Sequence, residues 1–238
     1  MTSRNLVITT VALAFALTAT TQGQLISGTT ATASSSLPGP PQFPNFDRVP
    51  AHAIDGSGLT PGDNLASTPD QMHTTAPDGF MWLSSGDGFG GTDPDPTFTV
   101  DLGGLYDLTG VRVFNYNENL PDGTRPDLSN RGVRETNVLL SSDGVNFVSL
   151  TPTPVTIPIA PANASYTGTF FNLVALTGGP VTTRFFQFDI QNSHGGDNNF
   201  VGLSELQFDG TPTIPEPMSA GFLALAVVGV MVRRRRQS

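Results

Sequence analysis

The chain has 238 residues, 37% of them hydrophobic and 13% charged, with 26 Gly and 20 Pro, proportions that suit one globular body plus processing segments and fall short of the disordered range. It contains no Cys, which excludes disulfides and thiolate metal centres and leaves oxygen ligands for any bound ion. The net charge is −9, and between residues 24 and 214 the 19 acidic side chains face only six Arg, so nucleic acid and anionic lipid are repelled while neutral glycans and divalent cations remain compatible partners.

In chain order, Arg4 precedes the run 6–19, apolar apart from Thr, and the small polar stretch 20–23 follows it. That layout predicts a secretory signal peptide over 1–23, cleaved near Gly23; the other reading is a buried N-terminal helix. The body then shows no amphipathic helical period longer than about ten residues and no repeat of solenoid or propeller length. Trp82 sits in an apolar triplet between Met81 and Leu83 and is expected in the core. The acidic stretch 86–96 lacks the alternation ending in Glu that an EF-hand loop needs and reads as a solvated loop.

Period-two segments come next. Residues 97–102 put Phe98, Val100 and Leu102 on one side; 108–116 alternate through Val111 and Val113; 134–141 offer Val138 and Leu140; 183–191 offer Phe186, Phe188 and Ile190. The clusters Asp101-Leu102-Gly103-Gly104 and Ser142-Asp143-Gly144 read as turns between them. Together these predict an all-β fold, an antiparallel β-sandwich.

At the far end, Pro215-Glu216-Pro217 precedes the uncharged stretch 218–232 and then Arg233, Arg234, Arg235 and Arg236. Fifteen helical residues reach about 22 Å, less than the ~30 Å hydrocarbon core. Snorkelling Arg side chains shorten the gap, and the basic block stays cytoplasmic with the body outside. A short anchor of this kind suits a transient hold in the inner membrane; a permanent tail anchor is the other reading.

Two resemblances follow from these residues. The ordered strings AIDGSGL (53–59), MWLSSG (81–86), PTFTVDLGG (96–104), VRVFNYNE (111–118), RGVRETNVLLSSDGVNF (131–147), RFFQFDI (184–190) and GLSELQFDG (202–210) make the body similar to the discoidin, or coagulation-factor type C, family with its galactose-binding-like jelly roll. The likeness covers roughly residues 25–210 and sets the domain at 24–210, with a linker and tail over 211–238. The stretch 55–82 is longer and richer in Gly, Pro and Asp than a compact member needs, and no Cys pair staples the termini. The C-terminal Pro-Glu-Pro, apolar helix and basic cluster resemble the PEP-CTERM sorting signal. That resemblance implies an exosortase-type processing protease acting near Pro215, Glu216 and Pro217, and delivery to the outer surface or extracellular polysaccharide of a Gram-negative-type bacterium.

The discoidin-like resemblance also implies a structural calcium, with Asp55 and Glu205 as side-chain ligands and Ala53, Ser57 and Met81 as carbonyl donors. Calcium takes six to eight hard oxygen ligands, and a domain without disulfides gains from an ion that binds only the folded state. The alternative is that Asp55 caps a turn and Glu205 faces solvent beside Gln207.

Sugar recognition combines an aromatic platform with planar polar groups. The loops near 115–118, 131 and 191–200 supply these types, which makes Asn117, Arg131, Asn192 and His194 the expected polar contacts, with Tyr116 or Phe200 as platform. A pairing of Glu118 with Arg131 and a core position for Tyr116 stay open beside that reading. Catalysis is not expected: His52, His73 and His194 have no metal-ligand spacing, and no Ser lies in a Gly-x-Ser-x-Gly elbow. The sequence therefore points to an exported, non-catalytic glycan-binding or adhesion protein, with a structural matrix or surface-layer component as the alternative.

Overall fold

The computed structural model describes residues 24–37, 47–60, 71–87, 91–120, 127–195 and 197–213. The predicted signal peptide (1–23) and the sorting tail with Pro215, Glu216, Pro217, the stretch 218–232 and Arg233 to Arg236 lie outside the described residues. Among the described residues no helix is long and apolar enough to cross a membrane.

Among the described residues ten strands carry the fold: β1 (Gln24–Leu25), β2 (Thr30–Ala33), β3 (Trp82–Leu83), β4 (Thr97–Asn115), β5 (Val133–Ser141), β6 (Val148–Ser149), β7 (Val155–Thr156), β8 (Thr169–Asn172), β9 (Val181–Ser193) and β10 (Gly202–Pro212). A five-residue helix α1 (Leu173–Thr177) joins β8 to β9. Every strand pairing is antiparallel. The fold is an antiparallel β-sandwich, and the alternation of Phe98, Val100, Phe186, Phe188 and Ile190 is what builds it, because each strand presents those side chains to one face.

The two stretches at 97–102 and 108–116, read from sequence as separate strands, form one strand here. The first part of β4 lies between β2 and β9 (Thr30↔Asp101, Phe98↔Phe188). Its last part lies between β10 and β8 (Val113↔Leu206, Val113↔Thr169). The register against β9 jumps from Asp101↔Phe185 to Tyr106↔Thr183, so residues 102–105 bulge out, and Gly103 holds φ +80° there. A strand that bends at a bulge can serve both layers of a sandwich.

The layers close on each other through aromatic edges. Phe186 of β9 meets Phe208 of β10 with ring centroids 5.1 Å apart, and Trp82 of β3 meets Phe98 of β4 at 4.8 Å. Trp82 is fully buried, as its apolar neighbours predicted. A second, smaller cluster of Met81, Leu83, Tyr116 and Phe200 sits at the end of the sandwich where β4 and β9 finish.

Candidate functional site

Two places in the fold gather the expected site residues. The first is the loop after the 3-10 turn Pro50–Ala53. Asp55 Oδ1 accepts the Ser57 N–H at 2.8 Å, which tightens the turn, and Gly56 at φ +72° aims its N–H at Glu205 Oε2, 3.1 Å away. Ser57 Oγ donates to Gly79 O at 3.2 Å. Residues 149 apart in sequence thus meet at one backbone amide. Glu205 is only 1% exposed, so it does not face solvent. Burial drives its pKa well above the ordinary carboxylate value and the Asp55 charge adds to that, against the Gly56 hydrogen bond.

A nearby cation would favour the charged form of a carboxylate so placed. The side-chain donors at hand are the two carboxylates; Ala53 and Met81, expected as carbonyl donors, are both fully buried. That set fits a hard cation such as calcium and not a soft one. No group of three or more His, Asp or Glu able to hold a metal occurs among the described residues, so carbonyl oxygens would have to complete any shell. A cleft of ≈820 Å³ between residues 25–31 and β10 runs past Asp55, Glu205 and Gln207.

The second place is the rim formed by residues 115–118, 129–132 and 197–200. Arg131 donates from Nε and Nη2 to the two carboxylate oxygens of Asp197, at 2.6 and 2.9 Å. Its Nη1 stands 3.6 Å from Glu118 Oε2, and its Cζ lies 4.6 Å over the Phe200 ring. Glu118 is fully buried; it accepts the Tyr116 hydroxyl at 2.5 Å, and Arg48 Nη1 donates to that same hydroxyl at 2.8 Å. Arg48, itself 1% exposed, ties this network to Asp78 at 2.8 Å. Burial opposes the Arg131 charge, but the Asp197 hydrogen bonds and the surrounding Tyr116, Asp197 and Glu118 groups outweigh it, and its pKa is raised. Asp197 is held below the usual carboxylate range, first by its bonds to Arg131.

The expected sugar contacts divide accordingly. Arg131 and Phe200 come together with Glu118, as a pairing of Glu118 with Arg131 anticipated. Tyr116 is corrected from platform to core: it is fully buried, and burial raises its pKa further than the Arg48 charge lowers it. Asn117 is also fully buried and donates its amide to Asn163 O at 2.9 Å, so it presents nothing to a ligand. Asn192 donates to Glu135 Oε2 at 2.7 Å across the β5–β9 pair, and a ring nitrogen of His194 bonds Ile157 O at 2.9 Å. Phe200 is 3% exposed, an aromatic under a guanidinium and not an open face.

Arg48, Asp78 and Asp197 were missed. Their signal was scarcity: six Arg in the body against 19 acids means each buried one needs a named partner. A second cleft of ≈680 Å³ opens at the opposite end, beside the β5–β6 hairpin and the turn before β9. Its hydroxyls Ser141, Thr177 and Thr183 bond within the chain.

No protein-family model and no curated protein matches the chain. Solved structures do. A family 89 glycoside hydrolase from Clostridium perfringens in complex with PUGNAc is 24% identical, with a TM-score of 0.45 over 82% of this chain and 16% of that one. The module CpGH89CBM32-5 from Clostridium perfringens, in complex with GalNAc-β-1,3-galactose, is 15% identical, with a TM-score of 0.49 over 78% of this chain and 98% of the module. The F5/8 type C domain of a Bacteroides fragilis protein is 14% identical, with a TM-score of 0.49 over 80% and 98% of the two chains. The chain therefore spans about a sixth of the length of the hydrolase and nearly all of each of the two isolated domains.

Proposed function

We propose that this protein is an exported, non-catalytic carbohydrate-binding or adhesion protein of the bacterial surface or extracellular polysaccharide matrix, sorted by a PEP-CTERM tail. The observation that carries the reading is the rim where Arg131, Phe200 and the exposed loop 197–199 stand on a buried Glu118 at one end of a rigid sandwich. Loops in that position vary in recognition without disturbing the core, and the acidic body suits a neutral glycan. Asp55 and Glu205 would hold a structural calcium with the carbonyls of Ala53, Ser57 and Met81, stabilising the loop that leads to Gly79. Processing by an exosortase-type protease near Pro215 to Pro217, after transient inner-membrane insertion, would deliver the body outside the cell.

The test is retention on a panel of immobilised neutral and acidic glycans, galactose-terminated ones included, with calcium and with chelator. Calcium-dependent retention on a defined sugar supports the reading; clean absence across the panel overturns it. One observation favours a second reading, a structural matrix or surface-layer component: Asn117, Asn192 and His194 all spend polar groups inside the chain. The intact mass of protein recovered from envelope and medium tests the sorting, since unaltered termini would remove it.

A further inference from the structure

We infer that Arg131 is a positioning residue that clamps residues 197–200 at the rim through Asp197, and that it does not itself contact a ligand. Each of its three nitrogens already faces a carboxylate: Nε and Nη2 bond Asp197, and Nη1 points to Glu118. One face of its guanidinium is covered by Phe200. The residue is anchored from inside and reaches outward, because Glu118 is fully buried while the Asp197 side chain is 48% exposed.

What the clamp holds is an uncommon backbone. Asn198 and Asn199 lie in succession at φ +52° and +57°, a left-handed pair that is uncommon for residues other than Gly and that Asn tolerates better than most. The other ties are single bonds: Asn199 donates to Asp87 Oδ2 at 2.8 Å, and the Asp87 N–H donates to Asn198 O at 2.8 Å. The bidentate Arg131–Asp197 pair is the tie of the set in which both partners are charged and two parallel bonds form. It fixes the orientation in which the exposed Asn198 side chain faces solvent.

The binding half of this inference rests on the proposed carbohydrate function; the clamp half does not. Hydrogen exchange of the Phe200 amide, which donates to Asp197 O at 3.2 Å, and of the Asp87 amide, which donates to Asn198 O at 2.8 Å, reads the clamp directly on the purified protein. Asp197→Asn is expected to speed exchange there about ten-fold while β9 and β10 amides stay unchanged. Asp197→Glu, which keeps the carboxylate, should restore most of the protection. Arg131→Lys should not, because an ammonium cannot make the two-bond fork. Unchanged exchange in Asp197→Asn overturns the clamp.

The same variant separates positioning from contact on whichever sugar the panel retains. Freeing the Arg131 fork should weaken retention about ten-fold if Arg131 positions the loop, and should leave or strengthen it if Arg131 is a contact, which overturns the inference. Retention of no sugar by the wild type sinks the proposed function instead, and the exchange result alone then decides the clamp.

Discussion

His73 is fully buried, its Nδ1–H donated to Thr74 O at 2.9 Å, while its Nε2 abuts Gly58, where an added Cβ would meet it at 2.2 Å. Burial lowers its pKa from 6.5 to about 4 against the opposing backbone hydrogen bonds. In the unfolded chain the imidazole takes its proton near 6.5, and in the fold only near 4. The unfolded state therefore gains a proton first as pH falls, and stability is lost between those values. The loss attributable to His73 between pH 7 and pH 5 should be about 2 kcal/mol. Denaturant unfolding of wild type and His73→Phe at both pH values checks this: the variant should start less stable at pH 7 and show a flatter slope, and equal slopes would refute it. This role was illegible in the sequence, where His73 showed only an absence of metal spacing. The family likeness drew attention to the loop at Asp55 and to Glu205, which meet through the Gly56 N–H, whereas Tyr116 misled because an aromatic beside Asn and Glu looks like a loop platform. The run 111–118 is buried on both faces, so alternation, the cue that separates core from surface, is silent there.

At the scale of the element, the strands that pack one face were readable. β5 and β9 fall where Val138 and the Phe186, Phe188, Ile190 series placed them, only longer at their ends. The β4 bulge was read as a turn, since Asp101-Leu102-Gly103-Gly104 has turn chemistry and the partner that keeps the strand going, β9, lies some 80 residues away. Asp101 Oδ1 accepts the Gly103 N–H at 2.8 Å, and both Asp101 oxygens take the Arg184 fork at 2.9 and 2.8 Å, so local and distant bonds agree on the bend. Gly103 at φ +80° finds only one distant backbone atom, Gly28 O at 3.9 Å, near an added Cβ. A substitution there meets backbone strain and not a clash. Gly103→Ala should lower stability by about 1–2 kcal/mol, while the glycan panel result stays as in wild type because the rim is at the other end of β9. Urea midpoints with an unchanged slope would register it; no change in midpoint would mean that the bulge relaxes freely.

For the molecule as a whole, composition excludes disulfides, the aromatic core closes the layers, and the proposed calcium is a further tie that can be tested. With no Cys, the N-terminal segment is attached by the short β1, paired to β10 through Gln24↔Gly210 and Leu25↔Asp209, and by β2 on β4. The loop that carries Asp55 lies against that same segment along the ≈820 Å³ cleft, so the buried Glu205 is where an ion would join the N-terminal part to the last strand. An ion that binds only the folded state stabilises by mass action, about 2.7 kcal/mol at a hundred times its dissociation constant. For a domain of this size that corresponds to a rise of about 5–10 °C in thermal midpoint. Scanning calorimetry of the purified protein in millimolar calcium and in chelator should show that separation. Glu205→Gln should abolish it while retaining a folded, chelator-insensitive transition, because the amide keeps the shape and the Gly56 acceptor but removes the charge that recruits the ion. Coincident midpoints in the wild type would mean that no calcium binds there, that Glu205 serves only as the acceptor of the Gly56 N–H, and that Asp55 is no more than the cap of its turn.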